Sequence, residues 1–259
     1  MGALALLHGF TGRGASWRPT LDRLDRGEAW APDLPGHGGA REKELPGSFE
    51  DAADRLASRL EREAETPVHL VGYSLGGRLA LAIAVRRPRL VGRLTLIGAR
   101  PGLGPEERAR RAAADDALAR GLLERGLEPF LDSWQALPLF ASQRRLPKAV
   151  LEAQSALRLG HSPAGLAWAL RTLSPGRMPD YRPRLQGLKP PVDLVVGELD
   201  APYLAIAREM QAGGLPRTAR LRVVPGCGHN VPLEAPAALA PLLAAAPAPA
   251  RSALGSAAP

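Results

Sequence analysis

The fold of this 259-residue chain is decided at Val68-His69-Leu70-Val71-Gly72-Tyr73-Ser74-Leu75-Gly76-Gly77-Arg78. The apolar, branched run before Gly72 predicts a buried parallel strand. Arg78-Leu79-Ala80-Leu81-Ala82-Ile83-Ala84-Val85 predicts a helix. A G-x-S-x-G between strand and helix is a nucleophile elbow, a turn that exposes its serine. Glycines are needed there because the turn is too tight for side chains, and the serine itself is held in a strained conformation.

Working outward, the same alternation of strand and helix recurs. Residues 3–7 predict a strand ending in His8-Gly9-Phe10-Thr11-Gly12, and Ala15–Leu24 predicts a short helix. A strand around Glu28–Ala31 leads into the turn Asp33-Leu34-Pro35-Gly36-His37-Gly38-Gly39. His37, beside three glycines, reads as structural. Ser48–Ala64 has helical spacing with Ser48 as N-cap, and Val91–Ile97 predicts another strand. Between Gly102 and Leu188 there is no strand pattern, only helix-like segments such as Glu106–Leu123 and Pro147–Arg158. Strands resume at Val192 and at Arg220–Val224, and a last helix starts near Ala235. The alternation predicts an α/β fold, a mostly parallel, doubly wound sheet with its site at the carboxyl ends of the strands. Residues 1–100 and 189–245 form the expected core, 101–188 an inserted helical lid, and the Ala/Pro/Ser run 246–259 a disordered tail.

Composition narrows the partners. The formal charge is +8, yet the basic residues are scattered and no nucleic-acid-binding signature appears. Residues 100–190 hold 15 Lys/Arg against 9 Asp/Glu, so most of the excess sits in the lid. Part of it is solvated helix surface; the sharper reading is an anionic small substrate. One cysteine, Cys227, excludes an internal disulfide and fits a reducing, cytoplasmic setting. No stretch approaches a membrane span and the N-terminus lacks a signal-peptide pattern.

The chemistry follows from three residues, each just past a strand. Serine needs a histidine to take its proton, and the histidine needs a carboxylate to fix its tautomer. Ser74, Asp200 and His229 occur in the order serine, acid, histidine that goes with the elbow. Glu198 competes with Asp200, which is preferred because it ends the strand and opens the loop. Asp193 begins its strand, at the wrong edge of the sheet. The amides of Phe10 and Leu75 are the expected oxyanion donors. Cys227, without a partner cysteine, reads as a small buried residue.

These residues resemble the α/β-hydrolase superfamily and, within it, the 2-succinyl-6-hydroxy-2,4-cyclohexadiene-1-carboxylate synthases of menaquinone biosynthesis. The resemblance spans residues 3–240. It rests on Leu7–Gly12, Asp33–Gly38 and Gly72–Arg78, on Pro101-Gly102-Leu103, Phe130–Trp134 and Pro138–Ser142, and on Gly228-His229-Asn230. It implies a carbon–oxygen lyase releasing pyruvate from a substrate with three carboxylates, using no metal or organic cofactor. A carboxylesterase or carbon–carbon bond hydrolase is the alternative on the same scaffold. Arginine suits carboxylates through its planar, permanently charged fork. The resemblance implies that Tyr73, Arg78, Arg111, Trp134 and Arg158 bind substrate, with Arg78 ranked first because it lies one helical turn after Ser74. Arg108, Arg110 and Arg111 can exchange roles. Asp115-Asp116 carry no assignable function. The two strands that usually precede the first one here do not appear in this sequence, so either the start lies further upstream or the sheet is smaller; in both cases an edge strand is expected to be exposed.

Overall fold

The computed structural model describes residues 3–24, 29–38 and 45–244. Five parallel strands run in sequence order across one sheet: β1 (Leu4–Leu7), β2 (Val68–Tyr73), β3 (Val91–Ile97), β4 (Val192–Gly197) and β5 (Arg220–Val224). Leu7 pairs with Gly72, Tyr73 with Ile97 and Gly197 with Val224, so the carboxyl ends lie side by side. β1, β2 and β4 are buried along their whole length, as the unbroken apolar runs require.

The helices, in chain order, are α1 (Arg18–Leu21), α2 (Phe49–Glu63), α3 (Leu75–Arg86), α4 (Pro105–Arg125), α5 (Leu127–Gln135), α6 (Lys148–Leu159), α7 (Pro163–Thr172), α8 (Ala201–Gly213), α9 (Val231–Glu234) and α10 (Pro236–Ala244). Alternate strand residues face opposite layers. Ala5, Leu7, Leu70, Leu94 and Leu96 pack on α2, α3 and α8, while Leu4, Leu6, Val71 and Ile97 pack on Trp17, Val231 and α10. The side chain of Ser48 caps α2 by accepting the Asp51 amide at 3.0 Å, a bond typically worth about 1 kcal/mol. Every residue of α3 from Leu75 to Ala84 is buried, and truncating Leu79 or Leu81 in such a core costs about 2–5 kcal/mol.

Some expectations shift. The Ala15–Leu24 helix becomes a 3-10 turn, Gly14–Trp17, followed by one turn of α-helix, because Pro19 lacks an amide proton and the Arg13 amide bonds Ser16 instead. The strand near Glu28–Ala31 shrinks to a single bridge between Trp30 and Ala5; Glu28 lies outside the described residues, as do Gly39 and the segment 246–259. That bridge corrects the expected exposed edge. Trp30 donates to Leu4 O and accepts from the Leu6 amide, both at 2.8 Å, so β1 is covered. The exposed edge is β5, where Arg220 and Arg222 put charge on the rim. The last helix is two pieces because Pro236 restarts it.

Between β3 and β4 lie α4 to α7. They share a small core of Ala119, Leu122, Phe130, Leu131, Leu166 and Leu170, against which Phe10 also packs. Gly36 (φ +75°) approaches α7 so closely that a Cβ would come within 2.5 Å of Gly165 O. The Pro-Gly turn is thus the seat on which the helical segment rests. Among the described residues, no helix is long and apolar enough to cross a membrane.

Candidate active site

Ser74 sits between β2 and α3 with φ +51° and ψ −107°, a region that costs a non-glycine residue on the order of 1–3 kcal/mol. Two glycines make the turn possible. A Cβ on Gly72 would lie 2.3 Å from Gly76 O, and one on Gly76 would lie 2.2 Å from Leu7 O. The Ser74 amide donates to Ile97 O at 2.8 Å, and the Gly76 amide to His8 O at 3.0 Å. The second bond stitches the Phe10 loop to the elbow. Leu75, first residue of α3, has an amide with no carbonyl a turn behind it.

His229 stands opposite. Its Nδ1–H donates to Asp200 Oδ2 at 2.6 Å, and Ser74 Oγ lies 3.2 Å from its Nε2. With a carboxylate at Nδ1 the proton belongs there, which leaves Nε2 free to accept from the serine. His229 and Asp200 are buried while Ser74 is half-buried. Aromatic rings fix the imidazole, with centroids of Tyr203 at 4.5 Å, Tyr73 at 5.4 Å and Phe140 at 6.2 Å. Gly98 (φ +53°) lets β3 end against it; a Cβ there would sit 3.0 Å from His229 Cε1.

The competing acids have other partners. Glu198 Oε2 accepts the Gly226 amide at 2.8 Å, tying the histidine loop to the acid loop. Asp193 accepts from Arg93 Nε at 3.0 Å and Nη2 at 2.7 Å at the far end of the sheet. Cys227 is buried and its thiol pushed up to about 12 by that burial. His37 is buried, its Nδ1–H donating to Pro35 O at 3.0 Å.

Beside the elbow lies a cavity of about 720 Å³, lined by Gly9, Phe10, Thr11, Tyr73, Phe140 and Arg158 among others. Arg158 is 4% exposed, and among the described residues no carboxylate pairs with it. Burial lowers its guanidinium to about 10. An unpaired buried cation is expensive unless an anion joins it. The Tyr73 hydroxyl is kept protonated by burial. Trp134 packs its ring 5.0 Å from Phe10 and 6.0 Å from Phe140, behind the cavity wall.

The remaining arginines gather elsewhere. Arg78, buried, donates from Nη1 to Leu173 O at 2.6 Å at the carboxyl end of α7, and its guanidinium lies 5.8 Å from the Phe49 ring. Burial lowers it to about 10, with Tyr203, Arg111 and Asp115 as charged or polar neighbours. Arg111 donates to Asp115 Oδ2 at 2.8 Å, and Ser174 Oγ donates to the same oxygen at 2.6 Å. Arg110 is exposed and Arg108 half-buried beside Asp180. Asp115, to which the sequence reading gave no role, is thus the buried anchor of Arg111; its signal was the i,i+4 spacing. Tyr203, three residues after Asp200, was also missed, since nothing in the pattern shows that α8 turns it onto His229.

A family model described as the alpha/beta hydrolase family matches residues 4–242. The chain belongs to the α/β-hydrolase family. This α/β hydrolase is 35% identical to a 2-succinyl-6-hydroxy-2,4-cyclohexadiene-1-carboxylate synthase of Enterobacter sp. (strain 638), over 93% of this chain and 90% of that protein. It is 34% identical to the protein of that name from Salmonella newport (strain SL254), over 93% and 92%. The structure of MenH from S. aureus superposes with a TM-score of 0.87 at 30% identity, covering 93% of this chain and 91% of that one.

Proposed function

We propose that this chain is a 2-succinyl-6-hydroxy-2,4-cyclohexadiene-1-carboxylate synthase, a lyase that eliminates pyruvate from 2-succinyl-5-enolpyruvyl-6-hydroxy-3-cyclohexene-1-carboxylate in menaquinone biosynthesis. The observation that carries the reading is the end-to-end similarity to proteins of that name. The site gives it a physical form.

The change from a 3-ene to a 2,4-diene dictates the electron flow. A base removes the proton at C2, which the neighbouring succinyl carbonyl acidifies. The C2–H pair becomes the C2=C3 bond, the old double bond moves to C4=C5, and the C5–O bond breaks. Enolpyruvate departs and takes a proton on carbon to become pyruvate. Ser74, deprotonated by His229, is the proposed base, with Asp200 holding the imidazolium that forms. The oxyanion that develops on the succinyl oxygen is met by the amides of Phe10 and Leu75, donors already fixed by the elbow and needing no rearrangement.

Arg158 receives a substrate carboxylate on the cavity wall beside Tyr73, with Trp134 packed behind that wall against Phe10 and Phe140, and the helical segment 101–188 acts as a lid over the core. Arg78, one helical turn after Ser74 on α3, supplies positive potential to the site, and Arg111, held by Asp115, is the proposed further substrate contact. The test is direct. Purified protein incubated with the enolpyruvyl substrate should release one pyruvate per diene formed. Brisk hydrolysis of p-nitrophenyl esters with no pyruvate released would instead establish the esterase alternative.

A further inference from the structure

We infer that Glu234 is a positioning residue for His229, holding the loop that carries it by the amides on both sides of the histidine. Its Oε2 accepts the Gly228 amide at 2.8 Å and its Oε1 accepts the Asn230 amide at 3.1 Å. One carboxylate therefore pins the backbone immediately before and after the imidazole. Charge-assisted bonds of this kind are shorter and stronger than neutral ones. Glu234 is itself held, because its own amide and that of Leu233 donate to Asn230 O at 2.8 and 3.0 Å. Loop and α9 thereby close into one small ring.

Two further features support the assignment. A Cβ on Gly228 would lie 3.1 Å from Glu234 Oε2 and 1.9 Å from Ser142 Oγ, so the glycine gives the carboxylate room. On the opposite side the Leu199 amide donates to Cys227 O at 2.9 Å. A Cβ on Gly197 would lie only 2.0 Å from Gly228 O. The acid loop thus grips the histidine loop from one flank and Glu234 from the other. The need for both is geometric. The Ser74–His229 separation of 3.2 Å is at the long end of a hydrogen bond, so a small rotation of the imidazole breaks it while the Asp200 contact survives.

The inference rests on the Ser74–His229–Asp200 reading, and the experiment separates the two. A fluorophosphonate probe labels an activated serine whatever the natural substrate is. Its labelling rate is measured for the intact chain, for Ser74→Ala as the site control, and for Glu234→Ala and Glu234→Gln. The His229 Nδ1 proton is followed by its downfield NMR resonance. We expect Glu234→Ala to label roughly tenfold to a hundredfold more slowly, the scale of a misplacement near 1 Å, with the downfield resonance shifted or lost. Glu234→Gln keeps one acceptor oxygen for two amides and should fall between Ala and the parent. It also serves if the alanine variant does not fold. Labelling of a folded Glu234→Ala or Glu234→Gln at the parental rate, with an unmoved resonance, overturns the inference. Absence of Ser74 labelling in the parent would sink the triad reading instead.

Discussion

The carboxyl ends of the strands and the helical segment between β3 and β4 carry chemistry in different ways. At the strand ends, Ser74, Asp200 and His229 come from three separate connections, yet each position is set by its own strand end and the adjoining turn. In the helical segment, Arg108, Arg110 and Arg111 occupy nearly consecutive positions on α4 and meet three different fates. One sits beside Asp180, one faces solvent and one is bound to Asp115. Strand register dictates where a loop begins, whereas a helix dictates only which side chains share a face. What that face meets is decided by packing.

The largest effect should come from breaking the strand-end site. Ser74→Ala or His229→Ala is expected to cost roughly a thousandfold or more in kcat, read as pyruvate release, with the melting temperature little changed. Deleting the far end of the same sheet should do the reverse. Asp193→Ala breaks the buried ion pair with Arg93 and is expected to destabilise by about 3–5 kcal/mol in denaturant unfolding, while kcat per folded molecule holds. A loss of kcat in Asp193→Ala at low temperature would mean that the two ends of the sheet are not independent.

Arginine substitutions sharpen the contrast. Removing one charged hydrogen-bond partner of a substrate costs about 1.5–3 kcal/mol, so Arg158→Met should raise KM on the order of tenfold to a hundredfold. Arg78→Met should lower the melting temperature as well, because it frees the Leu173 carbonyl. The sequence ranks Arg78 first, while Arg158 lines the cavity with no carboxylate paired to it among the described residues, so the two substitutions together test the order. Equal KM effects with no stability loss in Arg78→Met would falsify that ordering.

The effect expected to leave catalysis least touched is on stability against pH. Burial holds His8 down to about 3 and keeps His37 and His161 below their ordinary value. Unfolded histidines take up protons near pH 6.5, whereas these three take theirs up at lower pH in the fold. The unfolded state therefore binds more protons below that pH, and stability present at pH 7 declines as acid is added. For His8 the slope approaches about 1.4 kcal/mol per pH unit below pH 6.5, over a window that runs down toward pH 3; His37 and His161 act in the same direction. Denaturant melts at pH 7, 6 and 5 should show this decline, and His161→Gln should flatten it. His161 joins the two regions, accepting the Gly38 amide at 2.8 Å and donating to Thr11 O at 3.0 Å.

The sequence by itself determined the elbow, the alternation of strands and helices and the three polar residues beyond the strands. Those depend on local rules: a tight turn needs glycines, a buried strand needs an unbroken apolar run, and a parallel strand ends near its neighbour. Only the tertiary structure decided that Glu198 ties down a loop while Asp200 holds the histidine, for the two are separated by one residue and differ only in where the chain bends. It also decided that Asp115 anchors Arg111, that Tyr203 lies on the imidazole, and that Arg158 borders the cavity. Each of those is a meeting of side chains from elements far apart in the chain, and such meetings leave no periodic mark in the sequence.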